Sequence, residues 1–446
     1  MSPGPWHDKM FWGILVGSFI IRMLAIETVH KFGYTGDERE YVSLAKGLES
    51  GNDFVDSNGE RSTRSPLFPF VLAGLFSLAG EGLFLPHFMV CVLGSAVVAL
   101  GYVLCRKLLL DRSVSMWASI IMGTYPGLVV YSALLQTESL FTVFFLGATI
   151  VGYALVDHPT INRGMLLGVL SGLAALTRSV FLGVFPVILV SCLILARKGG
   201  RRVHWCALAS VLAFVVVLLP WTVRNYRVHG ILVPVSLWGG QSLLIANNPY
   251  ATGTWSVKEG FEEWFSDQLR SRGIPDRSSL SEGQLSAMSR EIALAYMTGH
   301  PGETAILTLK KAHIFGVFPI THSDSYLPLQ AVAVMADVLL LLGSVVGVVT
   351  AWNRRIHLMP LFGAMAVFAM THSILSAEAR YRLPIVPFLA ILFALGIREL
   401  ASKGGRMNIL STRGARVFLS MAIPSIILVY ALTVWMVLAG HIPGWR

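Results

Sequence analysis

Apolar runs recur along nearly the whole chain, each of a length that crosses a hydrocarbon core of about 30 Å as a helix, with polar residues gathered in the gaps between them. This pattern predicts spans at 10–29, 85–104, 114–131, 140–156, 165–177, 180–196, 205–221, 329–352, 358–376, 383–400 and 417–439, about eleven in all. The stretch 66–79 is also apolar, but at about fourteen residues it is too short to cross comfortably and is expected as an amphipathic or re-entrant helix at the interface. The first span is expected to be retained. Its apolar stretch continues past Arg22, and no small-x-small cleavage site precedes the acidic loop that follows.

The basic residues test this arrangement, because short cytoplasmic loops carry the excess of Lys and Arg. If 66–79 does not cross, then Arg106, Lys107 and Arg112 lie inside, followed by Arg197, Lys198, Arg201 and Arg202, then Arg354 and Arg355, then Lys403 and Arg406. If it does cross, the first three of these four clusters move to the outer face. The non-crossing arrangement therefore fits better. It leaves 29–66, the turn at 136–138, the long stretch 223–327 and the short segment 376–382 on the outer side. The long stretch mixes Trp255 and Trp264 with a polar run at 266–290 and an amphipathic helical pattern at 304–318. It is expected to form a small outer-face subdomain lying on the membrane. The organisation read from the sequence is a membrane bundle at 1–222 with a first outer loop at 30–66, the subdomain at 223–327, and further membrane helices at 328–446. No internal repeat of the transporter kind is visible.

Composition agrees with this class. Of 446 residues, 54% are hydrophobic and only 13% charged, where a soluble domain carries about 25% charge. The formal charge of +10 belongs to the loops, so the bilayer is the expected partner and nucleic acid is not. Cys91, Cys105, Cys192 and Cys206 sit in or beside apolar runs without CxxC spacing and are expected as packing residues. There is no GxxxxGK[ST] loop, HExxH, GxSxG or dinucleotide fingerprint, and the twelve histidines show no metal spacing.

The polar residues that loops do not explain converge on the outer face. Asp37 and Glu38 follow the first span side by side. Acids at a membrane boundary are poor packing material but are suited to taking a proton from a hydroxyl nucleophile; otherwise they are ordinary solvated loop acids. Arg64, Arg178, Arg224, Arg380 and Arg382 suit a phosphate, which guanidinium grips in bidentate fashion. Arg22, inside the first span, either snorkels or faces a polar cavity. Arg178 interrupts an apolar stretch, which favours a cavity. The run Glu378-Ala-Arg-Tyr-Arg-Leu-Pro384 enters a span with proline at the helix start, where anions are favoured; the bland alternative is an interfacial anchor of Arg and Tyr. Between Pro220 and Gly253, Asn225, Asn247 and Asn248 offer amides suited to sugar hydroxyls. For Asn247 and Asn248 turn chemistry explains the residues at least as well.

Taken in order, Gly36-Asp37-Glu38 with Tyr41, Arg64-Ser-Pro66, Thr137-Glu138, Gly172-Leu-Ala-Ala-Leu-Thr-Arg178, Pro220-Trp-Thr-Val-Arg-Asn225 and Glu378-Ala-Arg-Tyr-Arg-Leu-Pro384 resemble the polyprenyl-phosphate-dependent glycosyltransferases of the GT-C fold. The likeness is greatest to the protein mannosyltransferase and lipid A aminoarabinose transferase group. Each motif alone is weak, and the match lies in their order and sidedness along nearly the whole chain. The resemblance implies a GT-C-like bundle with interfacial helices in the first outer loop. It implies Asp37 as the base acting on the acceptor, with Glu38 beside it and Glu138 supporting the site. Arg22, Arg64, Arg178, Arg224, Glu378, Arg380 and Arg382 would form the lipid-phosphate site, and Tyr41, Asn225, Asn247 and Asn248 would meet sugar or acceptor. One departure is visible: Arg64-Ser65 precedes Pro66 where some relatives carry Lys. A large carboxy-terminal soluble domain of the oligosaccharyltransferase kind is not expected.

The activity so implied is transfer of a sugar from a polyprenyl-phosphate donor to a glycan, lipid or protein acceptor on the outer face, with inversion. No cofactor is called for, and a divalent metal requirement is left open. The expected location is a bacterial cytoplasmic membrane with the site facing outward. The alternative reading is a transporter or flippase of lipid-linked sugars, against which stand the missing repeat symmetry and the gathering of carboxylates on one face.

Overall fold

The computed structural model describes residues 8–30, 36–56, 59–109, 111–196, 200–316, 327–402 and 413–438. Among these residues the chain is helical throughout, with one isolated bridge between Ala251 and Val257 and no strand. The first half holds α1 (Lys9–His30), α2 (Gly36–Glu49), α3 (Leu67–Ala79), α4 (Phe84–Leu109), α5 (Arg112–Thr124), α6 (Pro126–Tyr131), α7 (Glu138–Asp157), α8 (Ile161–Thr177), α9 (Phe181–Leu195) and α10 (Arg201–His229). Then come α11 (Trp238–Ala246), α12 (Phe261–Arg270), α13 (Glu282–Gly299) and α14 (Pro301–Gly316). The chain returns to long apolar helices in α15 (Leu327–Asn353), α16 (Met359–Ile374), α17 (Val386–Ala401) and α18 (Arg413–Leu438).

Among the described residues, six helical segments are long and apolar enough to cross a membrane: Lys9–Val29, Phe84–Leu108, Glu138–Asp157, Arg201–His229, Val332–Asn353 and Ala379–Ala401. Other stretches read as spans are shorter apolar helices, among them α8, α9 and α16. The expected single span at 114–131 is two helices. Tyr125 is extended at φ −60° and ψ 121° and Pro126 begins α6, as the steric demand of proline on its predecessor requires. The helix of 13 residues at Leu67–Ala79 is about 20 Å long, short of a hydrocarbon core. It packs on α2, and Glu81 just past its end pairs with Lys46 of α2.

Close packing rests partly on small residues. Gly164, Gly168 and Gly172 repeat every fourth position on α8 and face α10, where a Cβ at Gly164 or Gly168 would collide with the backbone of Cys206 or Ser210. This is the small-xxx-small contact that lets membrane helices approach without a hydrophobic driving force. The main core gathers Phe141, Phe145, Phe181, Phe368 and Phe388, with Phe145 stacked on Phe368 at 5.7 Å.

The charged turns gather at the two ends of this bundle, apart from buried groups such as Arg22 and the Arg382–Asp337 pair. At one end Arg112 pairs with Asp8 at 2.5 Å, Arg398 with Asp111 at 2.7 Å, Arg354 with Glu399 at 2.5 Å and Lys107 with Asp157. These are the turns expected inside; Arg197, Lys198, Lys403 and Arg406 lie outside the described residues. At the other end lie α2, the turn before α7, the end of α8 and the segment before α17. There α11, α12 and α13 bury their own cluster of Leu243, Leu244, Phe261, Phe265, Leu269, Leu285 and Ile292. The amphipathic pattern at 304–318 is α14 as far as Gly316, with Ile306 and Leu309 exposed.

Candidate active site

Helix α2 begins at Gly36 with Asp37 and Glu38 in its first turn, where the helix dipole favours acids. The helical screw sends the two carboxylates apart. Glu38 turns into the protein, is fully buried, and accepts the Leu135 backbone N–H at 2.9 Å. It thereby ties α2 to the turn preceding α7. Asp37 instead lines a cavity of about 490 Å³. One turn further along the helix is Tyr41, which shares that cavity and packs edge-on against Phe68 at 5.3 Å.

Two guanidiniums hold Asp37. Arg64 Nη2 donates to Oδ1 at 2.8 Å, and Arg380 Nη2 meets Oδ2 at 2.6 Å. Each arginine is itself fixed from behind. Arg64 Nε and Nη2 donate to the two oxygens of Glu40 at 2.8 and 2.5 Å. Arg380 Nε donates to Glu378 Oε2 at 2.5 Å and its Nη1 to Gln136 Oε1 at 2.9 Å. Burial by itself would raise the pKa of Asp37, but the charges of Arg380 and Arg64 outweigh it, and the carboxyl is held below its ordinary 3.8. Arg64 is pushed upward: burial opposes its charge, and the Glu40 hydrogen bond with the neighbouring Tyr41 and Asp37 more than restores it. Asp37 is therefore a fully ionised carboxylate at neutral pH, with lone pairs left beyond its two arginine contacts.

Across the cavity, Arg178 stands at the C-terminal end of α8 and donates to Glu138 Oε1 at 3.0 Å. Its guanidinium lies over the Tyr381 ring at 5.0 Å. Three arginines and two carboxylates thus line one cavity: Arg64, Arg178 and Arg380 with Asp37 and Glu138. Trp238 adds an aromatic wall and stands 4.9 Å from Trp255.

The other residues singled out in the sequence do not line this cavity. Arg22 is fully buried and donates to the Ser18, Gly123 and Met122 carbonyls at 3.0, 3.1 and 3.2 Å. Arg224 clamps the loop between α2 and α3, donating to Arg61 O at 2.7 Å and Phe54 O at 3.1 Å while stacked 4.7 Å over Trp221. Asn225 donates to Val233 O and Val235 O at 3.0 and 3.2 Å and accepts from Ser62. Arg382 pairs with Asp337 deep in the bundle and donates to Tyr125 Oη at 3.0 Å. Glu378 backs Arg380 rather than meeting the cavity itself. Asn247 donates to Leu243 O and Ile374 O, both at 2.9 Å, and Asn248 donates to Leu244 O at 2.8 Å and accepts from the Tyr250 N–H at 2.7 Å. Both asparagines are cap and turn residues, as turn chemistry anticipates.

Gln136, Trp238, His372 and Tyr381 line the cavity and were not singled out as site residues. Tyr381 lies inside the motif at 378–384, and Gln136 directly precedes Thr137-Glu138. His372 is a polar residue within an apolar run, which is the signal in the sequence that points to it.

The role of Glu38 gives a testable expectation. Glu38→Gln retains a carbonyl oxygen for the Leu135 N–H, so turnover should stay within about tenfold of wild type. Glu38→Ala leaves that donor buried and unpaired, at a cost of about 1–3 kcal/mol in unfolding free energy. Thermal melts and a turnover assay on the two variants check this; a turnover collapse in the Gln variant would give Glu38 a chemical role.

Residues 63–221 match the family model described as dolichyl-phosphate-mannose-protein mannosyltransferase, a stretch that includes Arg64, Glu138 and Arg178. An undecaprenyl phosphate-alpha-4-amino-4-deoxy-L-arabinose arabinosyl transferase of Pseudomonas aeruginosa (strain UCBPP-PA14) is 24% identical over 221 residues, covering 48% of this chain and 40% of that protein. The namesake from Pseudomonas paraeruginosa is 24% identical over 223 residues. The chain thus spans less than half the length of these curated relatives. Among solved structures, the archaeal oligosaccharyltransferase AglB from Archaeoglobus fulgidus, in complex with an inhibitory peptide and a dolichol-phosphate, superposes with a TM-score of 0.54 at 14% identity. That match covers 94% of this chain and 55% of the other. The chain is an all-helical, multi-pass membrane protein that shares the GT-C fold of these membrane glycosyltransferases.

Proposed function

We propose that this protein is an integral membrane glycosyltransferase that moves a sugar from a polyprenyl-phosphate donor to an acceptor on the outer face of a bacterial cytoplasmic membrane, inverting the anomeric centre. The observation that carries the reading is Asp37, ionised and held between Arg64 and Arg380 on the wall of a cavity of about 490 Å³ at the end of the bundle opposite the basic turns. The relatives support it: the matched curated proteins are named for an undecaprenyl-phosphate-linked arabinose, and the AglB structure holds a dolichol-phosphate and a peptide. In this reading 1–222 and 328–446 form the membrane bundle, and 223–327 is the outer subdomain beside which the acceptor enters.

The chemistry follows from the charges. The donor phosphate docks toward Arg64, Arg178 and Arg380. An acceptor hydroxyl attacks the anomeric carbon as Asp37 takes its proton, and the bond from that carbon to the phosphate oxygen breaks in the same displacement. The phosphodiester becomes a phosphomonoester and gains a negative charge at the moment Asp37 loses one. The guanidiniums that faced the carboxylate thereby acquire the departing phosphate as a partner, an electrostatic stabilisation already in place before reaction. The lipid phosphate is the activated leaving group, so neither a nucleotide sugar nor ATP enters.

Orientation is tested with single cysteines in a background lacking the native four. Cysteine at Ser281 should react with an impermeant thiol reagent from outside, while cysteines at Ser113 and Ser402 should not; all three positions are exposed. Ser57, the other natural reporter for the outer face, lies outside the described residues. Outside labelling of Ser113 would invert the site and end the proposal. Mass spectrometry of envelope glycans and glycoproteins with and without the gene then identifies the missing product.

A further inference from the structure

Below the main cavity lies a smaller one, lined by Arg22, Gly94, Val97, Ser132, Glu138 and Thr142, with room of about 10 Å³ for the centre of a water molecule. That is close to what a single buried water needs, roughly 10–15 Å³, provided polar partners are present. Two are present. Arg22 Nε and Glu138 Oε2 are each buried with no hydrogen-bond partner among the described residues. The remaining edge of the Arg22 guanidinium is occupied by Ser18 Oγ and the carbonyls of Ser18, Met122 and Gly123. The other oxygen of Glu138 accepts from Arg178 at 3.0 Å. One orphaned donor and one orphaned acceptor therefore face the same water-sized space.

Gly94 keeps that space open. A Cβ there would lie 2.6 Å from Arg22 Nε and 2.5 Å from Ser132 Cβ. Ser132 Oγ, which donates to Leu128 O at 2.6 Å, retains acceptor capacity on the cavity wall.

We propose that one buried water accepts from Arg22 Nε and donates to Glu138 Oε2, so that Arg22 acts as a positioning residue for Arg178 through Glu138. The first-span arginine then serves the site without meeting the donor. Relayed by one water, its contact fixes the orientation of the Glu138 side chain, and Glu138 in turn fixes the guanidinium of Arg178 at the cavity wall. The effect on donor binding rests on the function proposed above; the water and the coupling of Arg22 to Glu138 do not.

The test uses the full chain in nanodiscs, with polyprenyl phosphate as the titrated lipid. Arg22→Met and Glu138→Gln should each weaken lipid affinity, by about tenfold, and the double variant should be no weaker than the worse single one, because both cut the same chain. Thermal shifts measured without lipid should be non-additive in the same way. Val97→Ile, which adds a methyl from the apolar wall and leaves both polar residues intact, should displace the water and weaken lipid affinity in the same direction. It keeps the test open if Arg22→Met fails to fold. A high-resolution density map of wild type should show one water within hydrogen-bond distance of both atoms. Additive effects, a dry cavity, a direct Arg22–Glu138 contact, or unchanged affinity in Val97→Ile would each overturn the proposal. If wild type binds no lipid phosphate and transfers no sugar, the glycosyltransferase reading falls, while the density and the thermal coupling still decide this one.

Discussion

Asp37→Asn should lower sugar-transfer turnover by about 10²–10⁴-fold, the usual worth of a general base, while affinity for the polyprenyl-phosphate product is retained. The substitution is nearly isosteric, so the α2 entry, the Glu38–Leu135 tie and the two arginines stay in place. What is lost is, among the described residues, the only cavity-lining carboxylate that two guanidiniums hold. The asparagine amide also brings an N–H group toward Arg64 or Arg380 where an oxygen stood. Donor binding, by contrast, loses a negative charge near the phosphate and should hold or tighten slightly. Single-turnover transfer and lipid titration on the same preparation separate the two effects. Near-normal turnover would remove Asp37 from the chemistry.

Arg380→Ala is the second large effect expected. Truncating one partner of a buried charge pair typically costs about 2–5 kcal/mol, or roughly thirty- to several-thousand-fold in affinity and turnover. Arg380 touches Asp37, Glu378 and Gln136 at once, so its removal frees two carboxylates as well as the proposed phosphate contact. Arg380→Lys keeps the charge but not the fork of donors and should fall between wild type and alanine. The pH profile gives an independent sign. Asp37 is held below 3.8 by Arg380 and Arg64 against the opposing effect of burial, so wild-type activity should persist until pH falls through that depressed value. Without the Arg380 charge the Asp37 pKa rises, and the acid limb should move to higher pH. An unchanged limb together with unchanged lipid affinity would place Arg380 outside the site.

The bundle was largely legible because its physics is one-dimensional. A run of apolar residues must become a buried or lipid-facing helix, and the basic turns sort to one end, as the Asp111–Arg398 and Asp8–Arg112 pairs show. The break at Tyr125–Pro126 was equally readable from proline sterics, but hydropathy alone passed over it. The site was legible in its motifs and ambiguous within them. Asp37 and Glu38 are adjacent, yet one lines the cavity and the other is buried against Leu135. Arg380 and Arg382 lie two residues apart in a 3₁₀ turn, whose three-residue period sends them to different faces. One meets Asp37 and the other Asp337. The clue to Arg382 was Asp337 itself, an acid inside the apolar run 329–352 that needs a buried cation. Arg224 and Asn225 read as ligand residues by type, but Arg224 is occupied by the distant loop around Phe54, Arg61 and Ser62, and Asn225 by Ser62 together with the Val233 and Val235 carbonyls, pairings that residue type alone does not reveal.

The central claim is that this cavity transfers sugar from lipid phosphate, and it is tested most directly by reconstituting the purified protein in liposomes with a radiolabelled polyprenyl-phosphate sugar. Sugar appearing on an acceptor with one polyprenyl phosphate released per transfer, in wild type and not in Asp37→Asn, is the result this account predicts. Movement of the intact lipid-linked sugar between leaflets, with no sugar transferred by wild type, would contradict it.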